Sequence, residues 1–159
     1  MQIDYIDLTI PPKKSIALIA HDNKKKALIE WCKQHADELK KHTLCGTGTT
    51  AQLITRATGI TVRGYNSGPL GGDQQIGAKI VEGRINLVIF FSDPLSAQPH
   101  DPDVRALLRI IQLYDIPMAT NRSTADFLIS SELMSLPYVH TVQNFTQSVA
   151  QRIDELEQD

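Results

Sequence analysis

Two cysteines, one tryptophan and no surplus of positive charge set the first limits on this 159-residue chain. Cys32 and Cys45 are too few for a disulfide scaffold and have neither C-x-x-C nor metal-ligand spacing. Both are expected as reduced thiols of a cytoplasmic protein. Sixteen Lys and Arg against eighteen Asp and Glu leave a net charge of −2, without the basic excess of a nucleic-acid binder. No apolar run approaches 18 residues, so no membrane span is expected. The start, Met1-Gln2-Ile3-Asp4-Tyr5, has no basic segment followed by an apolar core, so no signal peptide is expected either. A G-x-x-x-x-G-K-[ST] phosphate loop is missing. So are internal repeats, low-complexity stretches and linkers, which leads us to expect one domain over residues 1–159. A hydrophobic content of 42% at this length is enough for a core without staples.

What is present alternates. After a short polar lead ending in Pro11-Pro12, the run Ser-Ile-Ala-Leu-Ile-Ala over 15–20 is continuously apolar apart from its first residue and reads as a central parallel strand. A helix is predicted over 23–41, a strand over 43–46, and a helix from Thr50 to about Ala57. A third strand over 60–65 enters a glycine-rich loop and a helix over 74–82. The apolar run 86–91 is a fourth strand, followed by a helix from Asp101 to Tyr114. A fifth strand over 116–120, a short helix over 123–130, a weak extended piece over 138–142 and a last helix over 145–157 complete the chain. This order implies βαβ units and a doubly wound α/β fold, with a mostly parallel five-stranded sheet between helical layers.

The polar clusters fall at the C-terminal ends of the predicted strands, where open parallel sheets bind ligands. His21-Asp22 follows the first strand and Thr47-Gly48-Thr49-Thr50 the second. Ser67-Gly68-Pro69-Leu70-Gly71-Gly72-Asp73-Gln74-Gln75 follows the third, and Asp93 with Pro99-His100-Asp101-Pro102-Asp103 the fourth. The Thr47–Thr50 turn leads into a helix N-terminus, whose free N–H groups and dipole favour an anion. Ser67 and Gly68 can donate to the same anion, while Lys24-Lys25-Lys26 reads as a solvated helix face from which only a lysine near the helix start could reach the crevice. Asp73 either caps the helix it precedes or works as a base at its mouth. Asp101 followed by Pro102 fits an N-cap with proline at the first helical position, leaving His100 outside the helix and Asp103 in its first turn. Asp22, Asp73, Asp93 and Asp103 suit acid–base work, with metal binding as the rival reading.

These segments, in this order and spacing from about Ser15 to Arg152, resemble methylglyoxal synthase, with G-G-D-Q-Q and P-H-D-P-D the specific parts. The resemblance implies a lyase that converts dihydroxyacetone phosphate to methylglyoxal and inorganic phosphate without a metal or organic cofactor. It implies Asp73 as catalytic base and His100 as its electrophilic partner, with Asp22, Asp93 and Asp103 as further active-site carboxylates. His21, Lys25, Thr47, Gly48, Thr49, Thr50, Ser67 and Gly68 take the places of substrate and phosphate contacts. Arg152 resembles an arginine near the family's C-terminus. A homohexamer inhibited by inorganic phosphate is implied as well, with no nucleic-acid or membrane partner.

Two other classes share this topology. The ligand-sensing regulatory domain of carbamoyl phosphate synthetase has a similar fold and no chemistry of its own, so fold alone does not separate it. The combination of Asp73, His100 and Asp103 speaks for the enzyme. A phospho-acceptor receiver domain needs an Asp directly after the third strand and a Lys after the fifth. This chain has Asn66-Ser67 and Thr120-Asn121 there.

Overall fold

The computed structural model describes residues 3–158. In chain order the regular elements are β1 (Tyr5–Ile10), β2 (Ser15–Ala20), α1 (Lys25–Gln34), α2 (Ala36–Leu39), β3 (Thr43–Thr47), α3 (Thr50–Thr58), β4 (Val62–Tyr65) and α4 (Gly72–Val81). They continue with β5 (Leu87–Phe91), α5 (Asp101–Leu113), β6 (Met118–Ala119), α6 (Arg122–Ile129), β7 (Tyr138–Gln143) and α7 (Phe145–Glu157). Five strands form one sheet in the order β4-β3-β2-β5-β6, parallel throughout.

The apolar runs explain the centre of that sheet. Ile16 to Ala20 of β2 and all of β5 are buried because helices cover both faces. Successive side chains point to opposite faces, so Leu18, Ile89 and Phe91 pack with Trp31 and Ile54 on one side. Ile19, Val88 and Phe90 pack with Ile76 and Leu107 on the other. The chain runs outward from β2 through β3 to β4, then crosses back through α4 to β5 on the other side of β2. That reversal puts a crevice beyond the carboxyl end of β2, between β3 and β5.

Three features depart from the sequence expectations. The lead before Pro11 is not a plain polar segment: it is β1, paired antiparallel with β7 as a separate two-stranded ribbon, Ile10 opposite Tyr138 and Tyr5 opposite Gln143. Tyr5, Ile6 and Leu8 are exposed there, and only Ile10 is buried, so the strand lacks a buried face that would mark it in sequence. The helix expected over 23–41 is a 3₁₀ turn (Asp22–Lys24) followed by α1 and α2, broken at His35. His35 leaves helical geometry at φ −110° and ψ 19°, its ring against Trp31 at 4.8 Å and its Nε2 3.3 Å from Asp126. The strands expected over 60–65 and 116–120 shorten to β4 and β6.

Cys32 on α1 and Cys45 on β3 are buried free thiols, and burial pushes the pKa of each up to about 12. Among the described residues no helix is long and apolar enough to cross a membrane.

Candidate active site

The carboxyl edge of β2, β3, β4 and β5 closes around a cavity of about 250 Å³. Its walls are His21, Asp22, Lys25, Thr47, Gly48, Thr50, Ser67, Gly68, Asp73 and His100 among the residues expected from sequence. A space of this size suits a small phosphate ester rather than a nucleotide.

Asp73 is the centre of it. Gly71 caps α4 with φ 91°, a left-handed conformation natural to glycine, and no side-chain capping bond is made. Asp73 therefore sits in the first turn without capping it, 1% exposed, its Oδ2 buried and unpartnered. The turn packs so close to the preceding loop that a Cβ on Gly72 would overlap the Asn66 carbonyl oxygen. Burial raises the Asp73 pKa, opposed by the nearby His100 and His21 and reinforced by Asp103. A carboxylate withdrawn from solvent by burial is a stronger base than an exposed one.

His100 Nε2 lies 3.6 Å from that Oδ2, wider than a hydrogen bond, so neither group is used up by the other. Its Nδ1 is also buried and unpartnered. His100 is the N-cap of α5, with Asp101 and Pro102 in the first turn. This corrects the placement of the cap at Asp101, whose carboxylate turns back to accept from the Gln98 amide at 3.2 Å. Gly68 faces the pair: a Cβ there would stand 2.6 Å from His100 Nε2 and 3.3 Å from Asp73 Oδ2.

His21 completes a triangle, its ring 5.7 Å from that of His100 and edge-on to Phe90 at 5.0 Å. Its Nδ1 accepts the Asp93 backbone N–H at 2.9 Å. Burial, aided by His100, lowers its pKa. The neutral ring then carries its proton on Nε2, which is buried at the cavity without a partner.

The Thr47–Thr50 turn forms the opposite wall. Gly48 N–H is shared between the carbonyls of Tyr65 and Asn66 at 3.1 and 3.2 Å, tying this turn to the loop that carries Ser67 and Gly68. Thr50 Oγ1 is buried and unpartnered at the start of α3. Thr49 does not line the cavity; its hydroxyl accepts from Lys25 Nζ at 3.4 Å. Lys25 also pairs with Asp22 at 2.9 Å, which holds the 88%-exposed Asp22 carboxyl below its ordinary range.

Two of the expected carboxylates stay outside. Asp93 accepts from Asn23 Nδ2 and from the Leu95 amide, and these bonds lower its pKa. It serves the cavity through the backbone N–H given to His21, whose pKa its carboxylate also acts to raise. Asp103 accepts from Gln74 Nε2 at 3.0 Å and lies in the groove between α4 and α5. Arg152 is exposed on α7. Sequence reasoning passed over Ile19, Ala20, Pro69, Phe90 and Gln98, which also line the cavity. Gln98 carried one usable signal, an Asp three residues later able to fold the loop back on it. Among the described residues no group of three His, Cys, Asp or Glu is arranged to hold a metal ion.

Residues 27–120 match the family model described as MGS-like domain. Methylglyoxal synthase of Clostridium acetobutylicum is 60% identical over 137 residues, 86% of this chain and 94% of that protein. The chain belongs to the methylglyoxal synthase family. Methylglyoxal synthase of Leptospira interrogans is 55% identical, covering 90% of this chain and 97% of its own. The crystal structure of methylglyoxal synthase from Elizabethkingia anophelis superposes with a TM-score of 0.84 at 45% identity, over 91% of this chain and 95% of that one. The fold expected for this family, a parallel five-stranded sheet flanked by helices, is the fold observed.

Proposed function

We propose that this chain is a lyase that converts dihydroxyacetone phosphate to methylglyoxal and inorganic phosphate. The observation that carries the reading is Asp73 Oδ2, buried, unpartnered and 3.6 Å from His100 at the wall of a small polar cavity. The substrate's carbonyl is flanked by CH₂ groups whose hydrogens are weakly acidic. A positioned carboxylate removes one if donors meet the charge that grows on oxygen. Asp73 takes the proton, and His100 with the Nε2–H of His21 donates to the enediolate oxygens. The enediolate electrons then expel phosphate by breaking the C–O bond, leaving the enol of methylglyoxal, which tautomerises to product.

Expulsion requires the C–O–P bond to stand roughly perpendicular to the enediolate plane. The N–H groups at the start of α3, the Thr50 hydroxyl, Ser67, Gly68 and Lys25 are the donors suited to hold the phosphate there. Thr47 and Gly48 shape that wall, while Thr49 and Asp22 act through Lys25. Asp93 fixes the tautomer of His21. No step is routed through a metal or organic cofactor, and inorganic phosphate would compete for the same donors. A ligand sensor of this fold would need no buried base beside two imidazoles, so the enzyme is the favoured reading.

The finer expectations, a single domain over 1–159, a cytoplasmic location and a homohexamer, complete the proposal. Chelator-treated protein incubated with dihydroxyacetone phosphate should release methylglyoxal and phosphate in equal amounts. Absence of both products would end the proposal, and activity that returned only with added divalent metal would overturn the roles given to the carboxylates.

A further inference from the structure

The two glutamines of G-G-D-Q-Q take no part in the chemistry above, yet each braces the turn that carries Asp73. We propose that Gln74 is a positioning residue: its hydrogen bond to Asp103 locks the first turns of α4 and α5 together and so sets the separation of Asp73 and His100. The inference rests on the lyase reading of the site.

Gln74 is exposed and does not line the catalytic cavity, so neither burial nor substrate contact accounts for its orientation. Its Nε2 donates to Asp103 Oδ1 at 3.0 Å. Asp103 N–H in turn donates to the His100 carbonyl at 2.9 Å, which makes His100 and Asp103 one rigid turn. Asp73 and Gln74 are consecutive on α4. The side-chain bond therefore closes a ring whose open side is the 3.6 Å gap between Asp73 and His100.

The bond adds to the apolar packing of α4 against α5, where Ile76 and Ile80 meet Leu107 and Ile111. Beneath the bond, a surface groove of about 210 Å³ along the α4–α5 contact is lined by Gly77, Ala78, Val81, Ala106, Leu107 and Ile110. Packed helices can still slide against each other in small shear steps. A polar strut at the active-site end removes that freedom. Gln75 fastens the same turn on its other side, its Oε1 accepting from the Asn66 amide at 2.8 Å, next to Ser67 and Gly68. The base is thereby fixed both to the phosphate-side loop and to the helix bearing His100.

The test measures steady-state kinetics of four variants beside the wild type. Gln74→Met keeps the length but removes the donor, and kcat should fall about tenfold, the effect of one modest hydrogen bond. KM should stay within about twofold, and phosphate inhibition should not change. Gln74→Glu opposes two carboxylates and should cost more. Adding Asp103→Asn to Gln74→Glu restores a donor–acceptor pair in the reverse sense. The double variant should recover to within about threefold of Asp103→Asn alone. Independent multiplication of the two effects, or a Gln74→Met protein with unchanged kcat and a raised KM, would refute the strut. Wild-type protein that forms no methylglyoxal would instead remove the lyase reading, and this inference with it.

Discussion

Adding one methyl group at Gly68 should slow the enzyme about a hundredfold without unfolding it. The Cβ of Gly68→Ala would lie 2.6 Å from His100 Nε2 and 2.8 Å from Cδ2, whereas ordinary contact begins near 3.4 Å. The shortfall of 3.4 − 2.6 = 0.8 Å falls on the imidazole, because Asp73 Oδ2 on the other side is 3.3 Å away and needs to yield little. Gly68 has no positive φ, so alanine meets no left-handed backbone strain there. A reactive group displaced by about 1 Å loses on the order of a hundredfold in rate, about 2.7 kcal/mol of transition-state stabilisation. We expect kcat for methylglyoxal formation to drop by that factor, with the melting temperature within a few degrees of wild type. Far-UV circular dichroism on the same sample checks the fold. A Gly68→Ala protein with kcat within threefold of wild type would show that His100 need not stand beside Asp73 during turnover.

Asp73→Asn should lower turnover at least about a thousandfold, the effect of losing a positioned base. Burial raises the Asp73 pKa in the folded chain, so the folded state holds its proton at a pH where the unfolded state has lost it. Stability from this group thus falls as pH rises past the unfolded value, and the Asn variant should melt higher than wild type at neutral pH by calorimetry. By the same shift, the acid limb of kcat/KM should lie above the ordinary Asp range near 3.9; a limb at or below that value would contradict Asp73 as the base. Thr50→Val removes the buried hydroxyl and keeps its shape. It should cost about ten- to a hundredfold, weaken phosphate inhibition and raise deuterium exchange into substrate relative to product formation. Equal slowing of exchange and elimination with phosphate inhibition intact would move the phosphate site to Lys25, Ser67 and Gly68. For the proposed hexamer, light scattering should give six times 17.7 kDa at micromolar concentration; a monomer alone would count against it.

The sheet was legible where burial is two-sided. The runs 15–20 and 86–91 have no polar side chain pointing outward after their first residues, so they read as strands and became β2 and β5. Asp73 and His100 were legible as partners because strand ends converge on one edge. β1 was not, since Tyr5, Ile6 and Leu8 are exposed on a ribbon that the sheet does not cover. Asp93 and Asp103 lie at strand and helix ends as expected, but sequence position does not fix where a carboxylate points. Local donors, the Leu95 amide and Gln74 Nε2, turned both away from the cavity. Phe90 belongs to the apolar run that marks β5, and nothing in that run signals that its ring also shapes the wall beside His21.

The two buried thiols have a consequence for an enzyme with this product. Methylglyoxal is an α-oxoaldehyde, an electrophile that adds to thiolates, and it is most concentrated at the protein that releases it. A thiol attacks as its anion, and burial that pushes the pKa of Cys32 and Cys45 up to about 12 keeps both in the unreactive thiol form at neutral pH. Cys32 is fully enclosed and Cys45 is 8% exposed, its Sγ donating to the Ile16 carbonyl at 3.6 Å. Such a catalyst is protected from its own output at sulfur, so slow self-inactivation during turnover would have to be sought at exposed arginines and lysines.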